Sequence, residues 1–344
     1  MAVVYIADQG ASVCKRGDRI YVFKGQNLLR WFHTKDISQL IIVGNIAMTS
    51  QALSYLLKHG LDTVFLSYYG KYKGRLVGEF GKNVYLRYAQ FTFLQSEPDK
   101  NALARQYVLG KIANMRFHLE KRARRYKDPL LAQNIIRLSE IKDKLATGIY
   151  DIESIRGYEG IATKYYFSAF PALITNPDFP FSGRNRRPPK DEVNALLSLG
   201  YTFLMNQIMT STYICGLDPY FGALHELNYG RQSLVLDLME EFRPLIDNLV
   251  ISCINRRELR PEHFCHNVLA DTEDADDDKT FLPVSMSQEG MKVFITAFAK
   301  LINSTFASDN PAGNWVLRDI FQNQARKIVT LFEKNTPYEP FLWH

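Results

Sequence analysis

The sequence predicts an α+β protein in which a small N-terminal β-rich domain, residues 1–80, leads through a linker at 81–100 into a larger all-α C-terminal domain, 101–344. Three observations point there. The chain has 344 residues, beyond the usual size of one domain, so two are the default expectation. Up to residue 80 it consists of short β-branched and aromatic runs separated by glycine-containing breaks, the pattern of strands and turns. From Asn101 onward, apolar residues recur at three- and four-residue steps, the spacing of a buried helix stripe. With 46% hydrophobic and 13% aromatic residues the chain can bury a sizeable core, which excludes a disordered protein.

The N-terminal strands are expected at Val3–Ile6, Arg19–Lys24, Leu40–Val43, Thr63–Ser67 and Arg75–Val77, with breaks at Gln9-Gly10, Arg16-Gly17-Asp18 and Tyr69-Gly70. One helix, Ser50–Lys58, is ended by Gly60. His33 and His59 have no partner at ligand spacing and read as structural. An antiparallel sheet leaves an edge or face to be covered, which makes this domain the natural dimerisation surface. Residues 81–100 pass from strand to helix character and end at Pro98-Asp99. Helices are then expected near 101–126, 129–146, 151–169, 190–214, 233–255, 289–305 and 315–334. Pro188-Pro189 stand just ahead of the helix opened by Asp191 and Asn194, and Pro244 kinks or ends its own helix by removing a hydrogen bond.

Chemistry concentrates in His225 to Pro244, HELNYGRQSLVLDLMEEFRP. Val235, Leu238, Met239, Phe242, Leu245, Ile246 and Leu249 form one apolar stripe, and the opposite face carries Asp237, Glu240 and Glu241. Carboxylates three or four residues apart on a helix lie close enough to repel, so they favour a compensating cation. The plain alternative is a solvated acidic turn, which the helix dipole welcomes. Turn chemistry at Gly216-Leu217-Asp218-Pro219 and Phe221-Gly222 delivers His225 into a loop just before these acids, as a candidate ligand. Upstream, Glu159 lies on a helical segment between Gly157 and Gly160, where side-chain bulk has been removed beside a charge.

These pieces together resemble a known family. Tyr158-Glu159-Gly160, Arg187-Pro188-Pro189 with Asn194 to Ser198 and Gly200-Tyr201, Gly216 to Pro219, His225, and Ser233 to Pro244 are similar in kind and order to CRISPR-associated protein one, the integrase that inserts new spacer DNA into CRISPR arrays. The resemblance implies a catalytic C-terminal domain in which Glu159, His225 and Glu240 are catalytic and bind a metal. The last of these is usually Asp in the family, so Glu240 sets its carboxylate about one methylene further out, and Asp237 is a further ligand or an orienting group. One imidazole among carboxylates suits Mn²⁺ and admits Mg²⁺. Further implications are transesterification of double-stranded DNA by a 3′-hydroxyl, accompanying endonuclease activity, a homodimer paired through the N-terminal domain, and a small partner, CRISPR-associated protein two.

The net charge of +6 fits an acidic partner. Arg116, Lys121, Arg122, Arg124, Arg125 and Lys127 end a helix, where any protein favours cations. Arg184, Arg186, Arg187 and Lys190 lie in a proline-rich loop with no dipole to complement and, with Asn194, are the better DNA-binding candidates. Arg256, Arg257 and Arg260 follow the acidic helix as end caps. The run from Asp271 to Lys279 lacks the glycine and glutamate of an EF-hand and reads as a solvated loop. Cys253, His263, Cys265 and His266 match no zinc spacing, and with Cys14 and Cys215 give no disulfide framework, so a reducing cytoplasm is expected. No basic leader and no 18-residue apolar span is present, which predicts a protein neither secreted nor membrane-bound. The alternative from another class is a non-catalytic DNA-binding scaffold, whose DNA affinity would fall steeply with salt and ignore chelators.

Overall fold

The structure, a computed structural model, describes residues 2–78, 81–124, 128–185, 188–270, 280–307 and 313–344. It is an α+β fold, strand-rich to residue 76 and mostly helical thereafter. In chain order the first part contains β1 (Ala2–Ile6), β2 (Ala11–Arg16), β3 (Arg19–Lys24), β4 (Asn27–His33), β5 (Ile37–Val43), β6 (Ala47–Met48), helix α1 (Ser50–Lys58), β7 (Asp62–Leu66) and β8 (Tyr72–Leu76). They make two four-stranded sheets, ordered β1-β5-β7-β8 and β4-β3-β2-β6. The second contains an antiparallel meander of β2, β3 and β4 with the short β6 added parallel to β2; the first is mixed too, with β1, β5 and β7 parallel and β8 reversed.

β5 shows why Leu40-Ile41-Ile42-Val43 is an unbroken apolar run. Leu40 and Ile42 face a small core with Val13, Ile20, Val22 and Leu56, whereas Ile41 and Val43 face the main core with Val64 and Leu66. A sheet covered on both faces needs apolar residues at every position. The strands are also tied to the helices by polar contacts. Gln39, almost wholly buried, donates to Asp62 at 2.6 Å and to Thr210 at 2.7 Å, and Arg75 donates to the Asn206 carbonyl at 3.1 Å.

The second part contains α2 (Val84–Gln95), α3 (Glu97–Ala123), α4 (Pro129–Thr147), α5 (Ile152–Ala169), α6 (Glu192–Ile214), α7 (Ser233–Met239), a 3₁₀ turn at Glu240–Phe242, and α8 (Arg243–Asn255). The stretch 81–100 is thus helix for most of its length. Asn83 caps α2, and Pro98 sits in the first turn of α3, where its missing N–H is not needed. Pro244 starts α8 and so divides the acidic segment. The chain continues through β9 (Phe264–Ala270), β10 (Thr280–Met286), α9 (Gln288–Ile302), β11 (Thr305–Phe306), β12 (Trp315–Val316) and α10 (Leu317–Lys334). Two short antiparallel pairs, β9 with β10 and β11 with β12, therefore interrupt the expected all-α region. Each is too short, or too broken by polar residues, to show a period of two in sequence. The acidic run 271–279 lies outside the described residues.

After α10 the chain has no regular structure, yet Tyr338, Phe341 and Trp343 are buried. This tail straps across α3 at Gly110, where an added Cβ would lie 2.5 Å from Pro340 Cβ.

Candidate active site

Asp237 on α7 organises the loop that holds His225. The alternative of a solvated acidic turn fails here: Asp237, Glu240 and Glu241 are all buried, at 0%, 3% and 0% exposure. Asp237 Oδ2 accepts from the backbone N–H of Ala223 (2.6 Å) and Leu224 (3.0 Å). Its Oδ1 accepts from the His225 N–H (2.9 Å) and pairs with His225 Nδ1 at 2.7 Å. Four bonds engage both oxygens, so Asp237 orients the imidazole. Gly222 permits the approach, since a Cβ there would meet Asp237 Oδ2 at 2.6 Å and the α7 backbone at 2.6–2.7 Å.

The loop is anchored from two further helices. Gln90 on α2 is buried and donates to the carbonyls of Asp218 (2.9 Å) and Phe221 (2.8 Å), while accepting from the Asp218 N–H. Arg156 on α5 donates to the Leu224 carbonyl at 2.9 Å and pairs with Glu226 at 3.0 Å.

With Nδ1 held by Asp237, the imidazole turns Nε2 toward Glu240 Oε1, 3.9 Å away. That same oxygen accepts from Arg243 Nε at 2.8 Å. Glu240 Oε2 is buried and pairs with Lys111 Nζ of α3 at 2.6 Å. The Lys111 ammonium also donates to Glu159 Oε1, which accepts from Thr163 at 2.9 Å. Lys111 thus bridges Glu159 and Glu240, and His225 approaches the Glu240 end of that bridge. Burial by itself pushes the Glu240 carboxyl up, but Arg243, Lys111 and His225 outweigh it and hold the group down at about 2. Glu241 faces the other way. Its carboxylate accepts from Gln324, Tyr338 and the Phe341 N–H in the tail, and burial pushes it up to about 8.

Among the described residues no three His, Cys, Asp or Glu side chains hold a metal geometry as they stand. The donor set nevertheless fits a divalent cation: two carboxylates bridged by one ammonium, and an imidazole whose other nitrogen is fixed by a carboxylate. Between the two carboxylates stands the Lys111 ammonium, which contacts both.

The DNA-binding candidates scatter. Asn194 is fully buried and clamps the preceding loop, accepting from Arg184 and the Asn185 N–H and donating to Gly183 O and Asp191. Every polar atom it has is in use, so it offers nothing to a phosphate, a correction to that assignment. Arg184 is turned inward as well, bonding Asn194 and Ser198 and lying over the Tyr201 ring. Lys190 is exposed. Arg186 and Arg187 lie outside the described residues, as do Arg125 and Lys127. In the first basic cluster Arg116 pairs with Glu120, Lys121 lies over Trp343 and Arg122 donates to Leu173 O. Arg256 and Arg260 pair with Glu258 and Glu262 in their own turns.

Sequence reasoning missed Lys111, Gln90, Arg243 and the tail. A signal existed for Lys111: it occupies the buried stripe Ala104, Tyr107, Val108, Lys111, Met115 of α3, where a charge needs a partner. The 690 Å³ cavity lined by His33, Tyr55, Gln207 and Arg318 includes none of the site residues.

Comparison with known proteins gives one family. The family model for CRISPR associated protein Cas1 matches residues 4–300. A protein named CRISPR-associated endonuclease Cas1 3, from Thermus thermophilus, is 34% identical over 99% of this chain and 97% of its own length. Among solved structures, a Cas6-RT-Cas1–Cas2 complex chain superposes with a TM-score of 0.82 at 23% identity, covering 99% of this chain and 36% of that one. A casposase bound to integration product superposes with a TM-score of 0.81 at 20% identity, covering 99% of this chain and 93% of the other. At those identities the structural likeness is one of fold.

Proposed function

The chain belongs to the CRISPR-associated protein Cas1 family, and from that premise we propose that it is a divalent-metal-dependent DNA endonuclease and integrase acting in CRISPR adaptation. In the reaction, the 3′-hydroxyl oxygen of a captured DNA fragment forms a bond to phosphorus at the edge of the repeat array as the strand's own P–O bond breaks. Water in place of that hydroxyl gives cleavage. The observation supporting this reading is that Lys111 bridges Glu159 and Glu240 from separate elements while His225 Nε2 stands 3.9 Å from Glu240 Oε1.

Glu159, Glu240 and His225 Nε2 would hold the metal, Mg²⁺ or Mn²⁺. When bound, it supplies Lewis-acid polarisation of the phosphate and lowers the pKa of the attacking hydroxyl. Asp237 fixes the imidazole so that Nε2 is the free nitrogen. Arg243 keeps Glu240 ionised. Beside Glu159, the α5 positions Gly157, Gly160, Ile161 and Lys164 form one exposed stripe, and a Cβ on either glycine would meet nothing within 4 Å. A DNA backbone can thus approach Glu159 closely, with Lys164 and Lys190 as phosphate contacts.

A homodimer paired through the N-terminal sheets, a small partner corresponding to CRISPR-associated protein two, and a cytoplasmic setting complete the proposal. The edge strand β4 is consistent with it, since Leu28, Leu29 and Trp31 are exposed there. The decisive experiment measures nicking and strand transfer with Mn²⁺ or EDTA for the wild type and for His225→Ala. Loss of both activities in the variant and in EDTA is expected. Normal cleavage by His225→Ala, or activity that ignores EDTA, sinks the metal-site assignment; DNA binding with no cleavage under any condition leaves the scaffold reading.

A further inference from the structure

Lys111 has a place in the site that apolar packing does not explain. Its side chain is 4% exposed, and its ammonium meets Glu159 and Glu240 at once. An ammonium buried this deeply is costly to strip of water and persists only where anions answer it. Packing does not require it, because α3 and α5 already share a core that includes Tyr107, Ile112, Met115, Ile155 and Ala162. Each carboxylate also has a second partner of its own, Thr163 for Glu159 and Arg243 for Glu240. What the lysine answers is the mutual repulsion of two carboxylates turned toward one gap.

Glu159 and Glu240 would hold a divalent cation in that same gap. Two cations cannot share it. The lysine ammonium is carried on a flexible four-carbon stem.

We propose that Lys111 is a built-in counter-ion, which fills the cation position of the metal-free site and must swing out for a divalent ion to enter, so that it sets the metal affinity of the protein. This rests on Glu159 and Glu240 being the metal ligands. Once displaced, the ammonium remains tethered within a side-chain length of the site, where an incoming phosphate is the anion that answers it.

The test uses the intact chain and Mn²⁺ alone, followed by the electron paramagnetic resonance signal of the free aqueous ion and by melting in EDTA and in Mn²⁺. Lys111→Met should bind Mn²⁺ at least about tenfold more tightly than the wild type, because the competing charge is gone. In EDTA it should melt several degrees lower, and Mn²⁺ should raise its melting temperature by more than it raises that of the wild type. Equal or weaker Mn²⁺ binding by the folded variant overturns the proposal and leaves the metal-site reading standing, whereas no Mn²⁺ binding by either protein overturns both. If Lys111→Met does not fold in EDTA, Lys111→Met combined with Glu240→Gln removes one charge of each sign and should recover most of the lost melting temperature. A double variant as unstable as the single one overturns the counter-ion role.

Discussion

At Asp237 two oxygens accept four hydrogen bonds, so one side chain sets both the loop backbone and the imidazole tautomer. Asp237→Asn replaces one of those acceptors by an amide that would face N–H donors. We expect Mn²⁺ affinity to fall about 10–100-fold, with strand transfer falling alongside, checked by calorimetric titration and by a transfer assay on the same preparation. Asp247 on α8 supplies a pH dependence. It accepts from Tyr201 at 2.5 Å and Tyr166 at 3.0 Å, and burial pushes it up to about 6 against those hydroxyls. The folded chain thus keeps a proton that the unfolded chain, with an ordinary value of 3.8, gives up. The resulting stabilisation is complete below about pH 4, declines as pH rises to about 6, and has gone above that, by at most about 3 kcal/mol. Denaturant midpoints of the wild type should therefore drop between pH 4 and pH 7 relative to Asp247→Asn; parallel curves would refute the buried ionisation.

The tail and α3 act as one element behind the site. Asn114 on α3 donates to the carbonyls of Glu241 (2.7 Å) and Phe341 (2.9 Å), and the Trp343 N–H returns to Asn114 at 2.8 Å. Lys111 and Glu240 thus stand on backbone that the tail braces. Gly110→Ala drives a methyl group against Pro340 and should cost about 1–3 kcal/mol, read as a lower melting temperature, with activity lost in proportion to tail detachment. A variant as stable as the wild type would mean that the tail repacks freely. At this same scale the stretch 81–100 changes meaning: as helix α2 it carries Gln90, which grips the turn leading to His225.

For the whole molecule, the exposed apolar residues of β4 matter most. Leu28 is 49% and Trp31 47% exposed, on the edge strand of the second sheet. Trp31→Asp should convert the proposed dimer to a monomer in light scattering while leaving the melting temperature within a few degrees. Retention of the dimer would place the interface elsewhere. No helix among the described residues is long and apolar enough to cross a membrane.

Helix positions were legible in the sequence because periodicity and caps are properties of neighbours within a turn or two. The expected 129–146, 151–169 and 190–214 lie within a residue or two of α4, α5 and α6. Sequence reasoning also singled out Glu159, His225 and the acidic turn, through glycines and turn residues beside charges. Only the tertiary structure decided which carboxylate does what: Asp237 orients, Glu240 meets Lys111, and Glu241 holds the tail. Lys111 and Glu159 are 48 residues apart, and no local pattern can report which distant charge a buried side chain will meet. Burial and partners set the role of a carboxylate, and both exist only once the helices have packed.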